Sequence, residues 1–97
     1  MLKQMLSGFI RIHILHHAAV EPIFGVEMIE ELRKHGYKAG PGTVYPILHQ
    51  METDGNLASR RVNVEGRIRV YYEITGKGRQ TLEESKKWLQ ELVCEVL

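Results

Sequence analysis

The sequence predicts an α+β fold, mostly helical: two short helices joined by a tight turn, then a β-hairpin and a long closing helix. Three observations carry this expectation. In the stretch GPGTVYPILHQMETDGNL, Val44, Ile47, Leu48 and Met51 fall at i, i+3, i+4 and i+7, one face of a helix. Further on, Ile68, Val70, Tyr72 and Ile74 alternate with Arg67, Arg69, Tyr71 and Glu73, the period of a half-buried strand. At the end, Leu82, Leu89, Leu92 or Val93, and Val96 form a heptad-like stripe with Trp88 beside it.

Taken in order, Leu2 to about His17 reads as a first helix. Leu2, Met5, Leu6, Phe9, Ile12 and His13 form its stripe, and Ile10 and Ile14 widen it. A helix this apolar is buried on more than one side, and part of it is expected to face a second subunit. Arg11 and three histidines interrupt the run and no small-residue cleavage site follows, so it reads as a buried helix and not a signal peptide. His13, His16 and His17 have a spacing that could bring imidazoles to one zinc. No cysteine and no third group of motif spacing completes the set. Histidines closing an apolar helix near its negative pole are the better reading, and no metal is expected.

Glu21-Pro22 breaks the chain, and Phe24 to His35 reads as a second helix with Gly25, Ile29 and Leu32 inward, stopped by Gly36. The loop YKAGPG leads to the central helix, whose start can be placed in two ways. With Pro41 in the first position, Pro46 falls inside the helix at a cost of roughly 3 kcal/mol. With Gly42 or Thr43 as cap, Pro46 sits at the first turn and little is lost. The later start is preferred, and it puts Thr43 and Tyr45 at the positive end, ready for a phosphate. The face away from the stripe carries Thr43, Tyr45, Pro46, His49, Gln50 and Thr53, hydrogen-bonding groups suited to contact, and Gly55 lies just past the helix end.

Leu57 to Val62 and Arg67 to Ile74 are the two strands, joined by NVEG, with an apolar face for the core and an arginine face for solvent. Between Leu57 and Tyr72 stand Arg60, Arg61, Arg67 and Arg69 against Glu65 alone. Exposed arginine can guard a strand edge, but four beside a candidate recognition helix are better explained by phosphates. The last helix runs from about Lys77 to Leu97, and five of its final six residues are apolar. It is read as an association helix in a two-fold dimer.

With 97 residues the chain is one small domain, and its formal net charge of +1 argues neither for nor against nucleic acid. The distribution says more, since the closing segment carries Glu83, Glu84, Glu91 and Glu95 against Lys86 and Lys87. A lone Cys94 fits a reducing cytosol, and no apolar run has the roughly 18 residues of a membrane span. No nucleophile–base arrangement and no glycine-rich phosphate loop is present, so no enzyme and no cofactor is expected.

Gly42-Thr43-Val44-Tyr45-Pro46-Ile47-Leu48, with Gly55 and Leu57 after it, and a second string of Arg67, Arg69, Tyr71, Tyr72, Thr75, Lys77 and Gly78 resemble the PadR family of winged-helix transcriptional regulators. Phe24-Gly25 followed by Glu27 and Ile29 is similar to the opening of that family's second helix. Nearly the whole chain is covered, although some members carry a separate multi-helix tail that this chain lacks. The resemblance implies a winged helix-turn-helix DNA-binding domain over 1–76 and a C-terminal dimerisation helix over 77–97 in the same compact unit. It implies that Tyr45 contacts a phosphate, that Thr43, His49 and Gln50, beside Pro46, face bases or backbone, and that Arg67 and Arg69 are wing contacts; Arg60 and Arg61 are added from charge. Leu2, Met5, Phe9, Leu82, Leu89, Leu92, Val93 and Val96 are the expected dimer residues. The family resemblance further implies a cytoplasmic, ligand-responsive repressor bound as a homodimer to a pseudo-palindromic operator on double-stranded DNA. A small aromatic or lipophilic effector is implied near the dimer interface, with Trp88, beside Leu92, Lys86 and the first helix, lining its site. The alternative is a winged-helix module that binds protein and not DNA.

Overall fold

A computed structural model describes all 97 residues. The elements are α1 (Leu2–Val20), β1 (Ile23–Phe24), α2 (Gly25–Lys34), α3 (Pro41–Thr53), β2 (Leu57–Val64), β3 (Arg67–Ile74) and α4 (Gly76–Val96). The strands form one antiparallel sheet in the order β1-β3-β2. The expected α+β fold with its helix–turn–helix and hairpin is therefore present. The two-residue strand β1, which pairs Ile23 with Tyr72 and Phe24 with Tyr71, was not expected from the sequence. It is too short to show a period of its own and exists because β3 offers it an edge.

The core is built by α1, α2, α3 and the base of the hairpin. Ile14, Leu32, Val44 and Leu48 are fully enclosed, and Met28, Leu57, Tyr72 and Leu82 close around them. On α3 the buried residues are Val44, Ile47, Leu48 and Met51, the stripe that the spacing predicts. On α1 the stripe is different. Ile10, Ile14, Leu15 and Ala18 are buried, whereas Leu2, Met5 and Leu6 are exposed and Phe9, Ile12 and His13 half-buried. The second half of the helix meets α2 and β3, and its first turns run past the end of the core.

Both helices of the helix–turn–helix end in the same way. Gly36, φ 91°, follows α2 and Gly55, φ 84°, follows α3. Gly36 N–H donates to the Arg33 carbonyl and Tyr37 N–H to the Leu32 carbonyl; Gly55 and Asn56 repeat the pattern on Glu52 and Met51. These are Schellman closures, in which the left-handed glycine turns the chain back over the last carbonyls. The second closure is tied to α4. The Thr75 hydroxyl accepts from Gly78 N–H at 2.9 Å, capping α4, and donates to the Gly55 carbonyl at 2.6 Å.

The start of α3 corrects the later start favoured by the sequence. Gly40 is the cap, Pro41 the first residue, and Pro46 lies inside the helix. The cost of an internal proline is reduced because the carbonyl it leaves without a donor belongs to Gly42, which is exposed and open to water. Burial of Val44 and Leu48 fixes the helix as a unit, and Gly40 still receives both Thr43 N–H and Val44 N–H at 3.0 Å. Tertiary packing outweighs the local preference.

The molecule is elongated, 51 × 29 × 21 Å. The 21-residue α4 buries only Gly78 and Leu82, so most of its length, and the first turns of α1, have no cover within the chain. If α3 begins at Pro41, Pro46→Ala restores one helix bond at the expense of the unfolded-chain entropy that proline removes. Urea unfolding should then show a gain of about 1–2 kcal/mol. A loss would return the helix start to Thr43.

Candidate nucleic-acid interface

The exposed side of α3 carries Pro41, Gly42, Thr43, Pro46, His49 and Gln50. Of these, Gln50 is engaged along its own helix, donating Nε2 to Asp54 Oδ1 at 2.9 Å. Tyr45 is half-buried and not free like its neighbours. Its ring lies against Gly25, where a Cβ would stand 2.7 Å from Tyr45 Cζ and 2.8 Å from its hydroxyl oxygen. Gly25 is the first residue of α2, so the Tyr45 hydroxyl sits at the positive end of that helix and not of α3 alone. The sequence marks Gly25 as an inward residue, and its reason is contact with this ring.

The hairpin sits beside this surface in a fixed register. Ser59 N–H donates to Glu52 Oε2 at 3.0 Å, tying β2 to the last turn of α3. Glu65 and Gly66, with φ of 52° and 81°, form the two-residue turn, and Asn63 Oδ1 accepts from Gly66 N–H at 3.0 Å. β2 therefore continues through Asn63 and Val64, two residues beyond its expected end, while β3 keeps the expected bounds.

Pairing partners in an antiparallel ladder share a face. Arg60 opposes Tyr71, Val62 opposes Arg69 and Val64 opposes Arg67, whereas Arg61 opposes Val70. The four arginines therefore do not make one face. Arg61 stands with Ile68, Val70 and Tyr72; the other three stand behind. Of those, Arg60 Nε donates to Glu73 Oε1 at 2.6 Å and its guanidinium lies 5.8 Å from the Tyr71 ring centroid. Arg69 lies 4.9 Å from the Phe24 ring, which meets Tyr71 edge-on at 5.5 Å. Arg61 and Arg67 have no carboxylate partner. Phe24 and Glu73 were missed as parts of this surface, because only strand pairing brings them beside the arginines.

The expected apolar face of the hairpin also needs correction. Tyr72 is buried and Ile74 half-buried, but Ile68 is 65% and Val70 37% exposed. The hairpin projects past the core, and only its base is covered. A groove of about 500 Å³ runs between Phe24 and Val26 on one side, Tyr45 and His49 on another, and Ile68 and Val70 on the third. Burial, with Glu52 and Tyr45 adding, pushes the Tyr72 phenol above its usual range and keeps it neutral beneath this groove.

The expected dimer residues divide. Leu82 is 5% exposed and belongs to the chain's own core. Phe9 and Leu89 are half-buried and line a cleft of about 330 Å³ between α1 and α4, together with Ile12, His13, Tyr37 and Lys86. Leu2, Met5, Leu92, Val93 and Val96 are exposed. Trp88 is exposed too and stands away from α1, among Gln80, Glu84, Lys87 and Glu91. The expectation that it lies against Lys86 and the first helix is not met within one chain, because Lys86 turns to the α1 side.

The model of the transcriptional regulator PadR-like family matches residues 14–84. The chain is 44% identical over 96 residues to the transcriptional regulator Rv3488 of Mycobacterium tuberculosis, covering 99% of this chain and 90% of that one. Among solved structures, a PadR-like transcriptional regulator from Bacillus cereus is similar with a TM-score of 0.86 and 33% identity, covering 96% of this chain and 92% of that one. A PadR family transcriptional regulator from Eggerthella lenta is similar with a TM-score of 0.86 and 28% identity, covering 99% and 85%. Gly25→Ala drives a methyl into the Tyr45 ring, and urea unfolding should show a loss of about 1–3 kcal/mol. Unaltered stability would mean that the ring does not rest on α2.

Proposed function

This chain belongs to the PadR-like family of transcriptional regulators, and on that premise we propose that it is a ligand-responsive repressor binding a pseudo-palindromic operator as a homodimer. One observation carries the reading: a helix with an uncharged, hydrogen-bonding outer face lies beside a projecting hairpin whose Arg61 and Arg67 have no internal partner. A helix of this kind fits the major groove, with Thr43, His49 and Gln50 toward base edges or backbone and Pro46 at the rim. Tyr45, held at the start of α2, is the phosphate contact. Arg67, Arg69 and Arg61 supply wing contacts, while Arg60 is partly neutralised by Glu73.

Dimerisation is supported by what the chain leaves bare. Leu92 is 55%, Val93 49% and Val96 66% exposed, and Leu2 and Met5 on α1 are exposed with them. A second copy that lays its α4 along this α1, and receives the same in return, covers both stripes by two-fold symmetry. The α1–α4 cleft is the better effector site, and Trp88 joins it only if the partner subunit closes over it. No catalytic role is proposed, and the cytoplasm is the compartment that fits a regulator of this kind. The exposed Ile68 favours a second reading, in which the wing binds protein.

Mobility-shift titrations on DNA from the region upstream of the chain's own gene separate the two. Arg67→Ala/Arg69→Ala should bind more weakly, with a salt slope shallower by about 1–2; equal binding by wild type and variant removes the wing from the DNA contact. Glu73→Ala should act in the opposite sense, because it frees Arg60 and deletes an anion. Leu92→Lys should dissociate the dimer in sedimentation and weaken operator binding with it, and an unchanged sedimentation coefficient would exclude α4 from the interface.

A further inference from the structure

Away from the DNA-facing side, the fold gathers three histidines that the sequence separates. His13 and His17 stand one turn apart on α1, and His35 is the residue that caps the end of α2. One ring nitrogen from each lies within 4.8 Å of those of the other two. The rings of His13 and His35 are 4.8 Å apart between centroids, and Tyr37 meets His13 edge-on at 5.3 Å. Glu31, one turn before His35, brings a carboxylate to the same place, with Oε1 3.7 Å from His17 Nε2 and 3.5 Å from His35 Nε2.

We propose that His13, His17 and His35, with Glu31 as fourth ligand or as the anchor of a ligating imidazole, form a binding site for a divalent transition-metal cation of the Zn²⁺ class. The donor set is the first reason. Three imidazoles and a carboxylate suit zinc or a similar borderline ion and do not suit calcium or magnesium, which take oxygen ligands. Geometry is the second. Two nitrogens on one zinc stand about 3.4 Å apart, so small side-chain rotations close the cluster. The Schellman closure at Gly36 fixes the backbone that carries His35, and α1 fixes the other two. The charged groups nearby include Lys34, 3.8 Å from Glu31, and Lys86 across the α1–α4 cleft.

The sequence expectation of no metal rested on the lack of a third ligand, and only tertiary packing supplies one. A bound ion would bolt α1 to the end of α2, immediately before the loop that leads into α3. Its use as an input to regulation rests on the reading proposed above; the site itself does not.

The test uses the full chain without a histidine tag, stripped with a chelator and titrated with Zn²⁺ against a chromogenic competitor, with Co²⁺ as a second, spectroscopic probe. Expected are one ion per chain, visible Co²⁺ bands of a four-coordinate site, and a thermal midpoint that rises with metal. His35→Ala, at a half-exposed position whose loss leaves the core intact, should weaken binding at least about tenfold. His17→Ala should do the same, and Cys94→Ser should bind as wild type does. Failure of the wild type to compete with the indicator overturns the site, and so does full binding by His35→Ala and His17→Ala. Mobility shifts with and without Zn²⁺ keep the two readings apart: metal binding with no DNA binding in either state overturns the operator reading and leaves the metal site standing.

Discussion

Burial of Val44, Ile47, Leu48 and Met51 against α2 and β2, in the core they share with α1, is the constraint from which the rest of the molecule follows. Four apolar side chains on one side of a 13-residue helix give α3 only one way to face. Thr43, Pro46, His49 and Gln50 on its other side are turned outward as a consequence. Such a stripe is worth several kcal/mol in transfer free energy, enough to hold a helix that contains an internal proline and begins with glycine as its cap. The outer face is therefore relieved of any duty to stabilise the helix. It carries no salt bridges of its own, and of Thr43, His49 and Gln50 only Gln50 is engaged within the chain, by Asp54.

The hairpin and the closing helix are locked to that helix by polar contacts at one junction. Glu52 accepts from the Ser59 backbone, Gly55 receives the Thr75 hydroxyl, and Asn56 accepts from Thr75 N–H at 3.2 Å and from the Thr81 hydroxyl at 2.8 Å. Each bond is modest alone, but together they set the angle between α3 and the wing. The wing itself is nearly all surface. Its shape is kept by the cross-strand ladder and by the row formed by Arg69, Phe24, Tyr71 and Arg60 on one face. Cation–π contacts of this kind hold guanidinium groups at fixed heights without neutralising them.

The opposite end of the molecule has the reverse character. There the core stops, and α1 and α4 continue as two partly bare helices with Leu2, Met5, Leu92, Val93 and Val96 in solvent. Nothing within the chain covers them. The histidine cluster and the α1–α4 cleft lie between the two ends, where a bound ion or small molecule would touch both the bare helices and the turn that leads into α3.

The sequence by itself determined the order and type of every helix and of the hairpin, because each spans enough residues to display a period or a capping glycine. It also fixed which face of α3 is buried. It did not determine β1, the true start of α3, the buried side of α1, or the division of the arginines between two faces. Those depend on what lies opposite: β1 needs the edge of β3, Pro46 is tolerated because the Gly42 whose carbonyl it leaves free is exposed, and Arg60 instead of Arg61 joins Arg67 and Arg69 because the hairpin register sets Arg60 opposite Tyr71 and Arg61 opposite Val70. The meeting of His13 and His17 with His35 is of the same kind. Periodicity reports only neighbours along one element, and contacts between elements are settled where their surfaces pack.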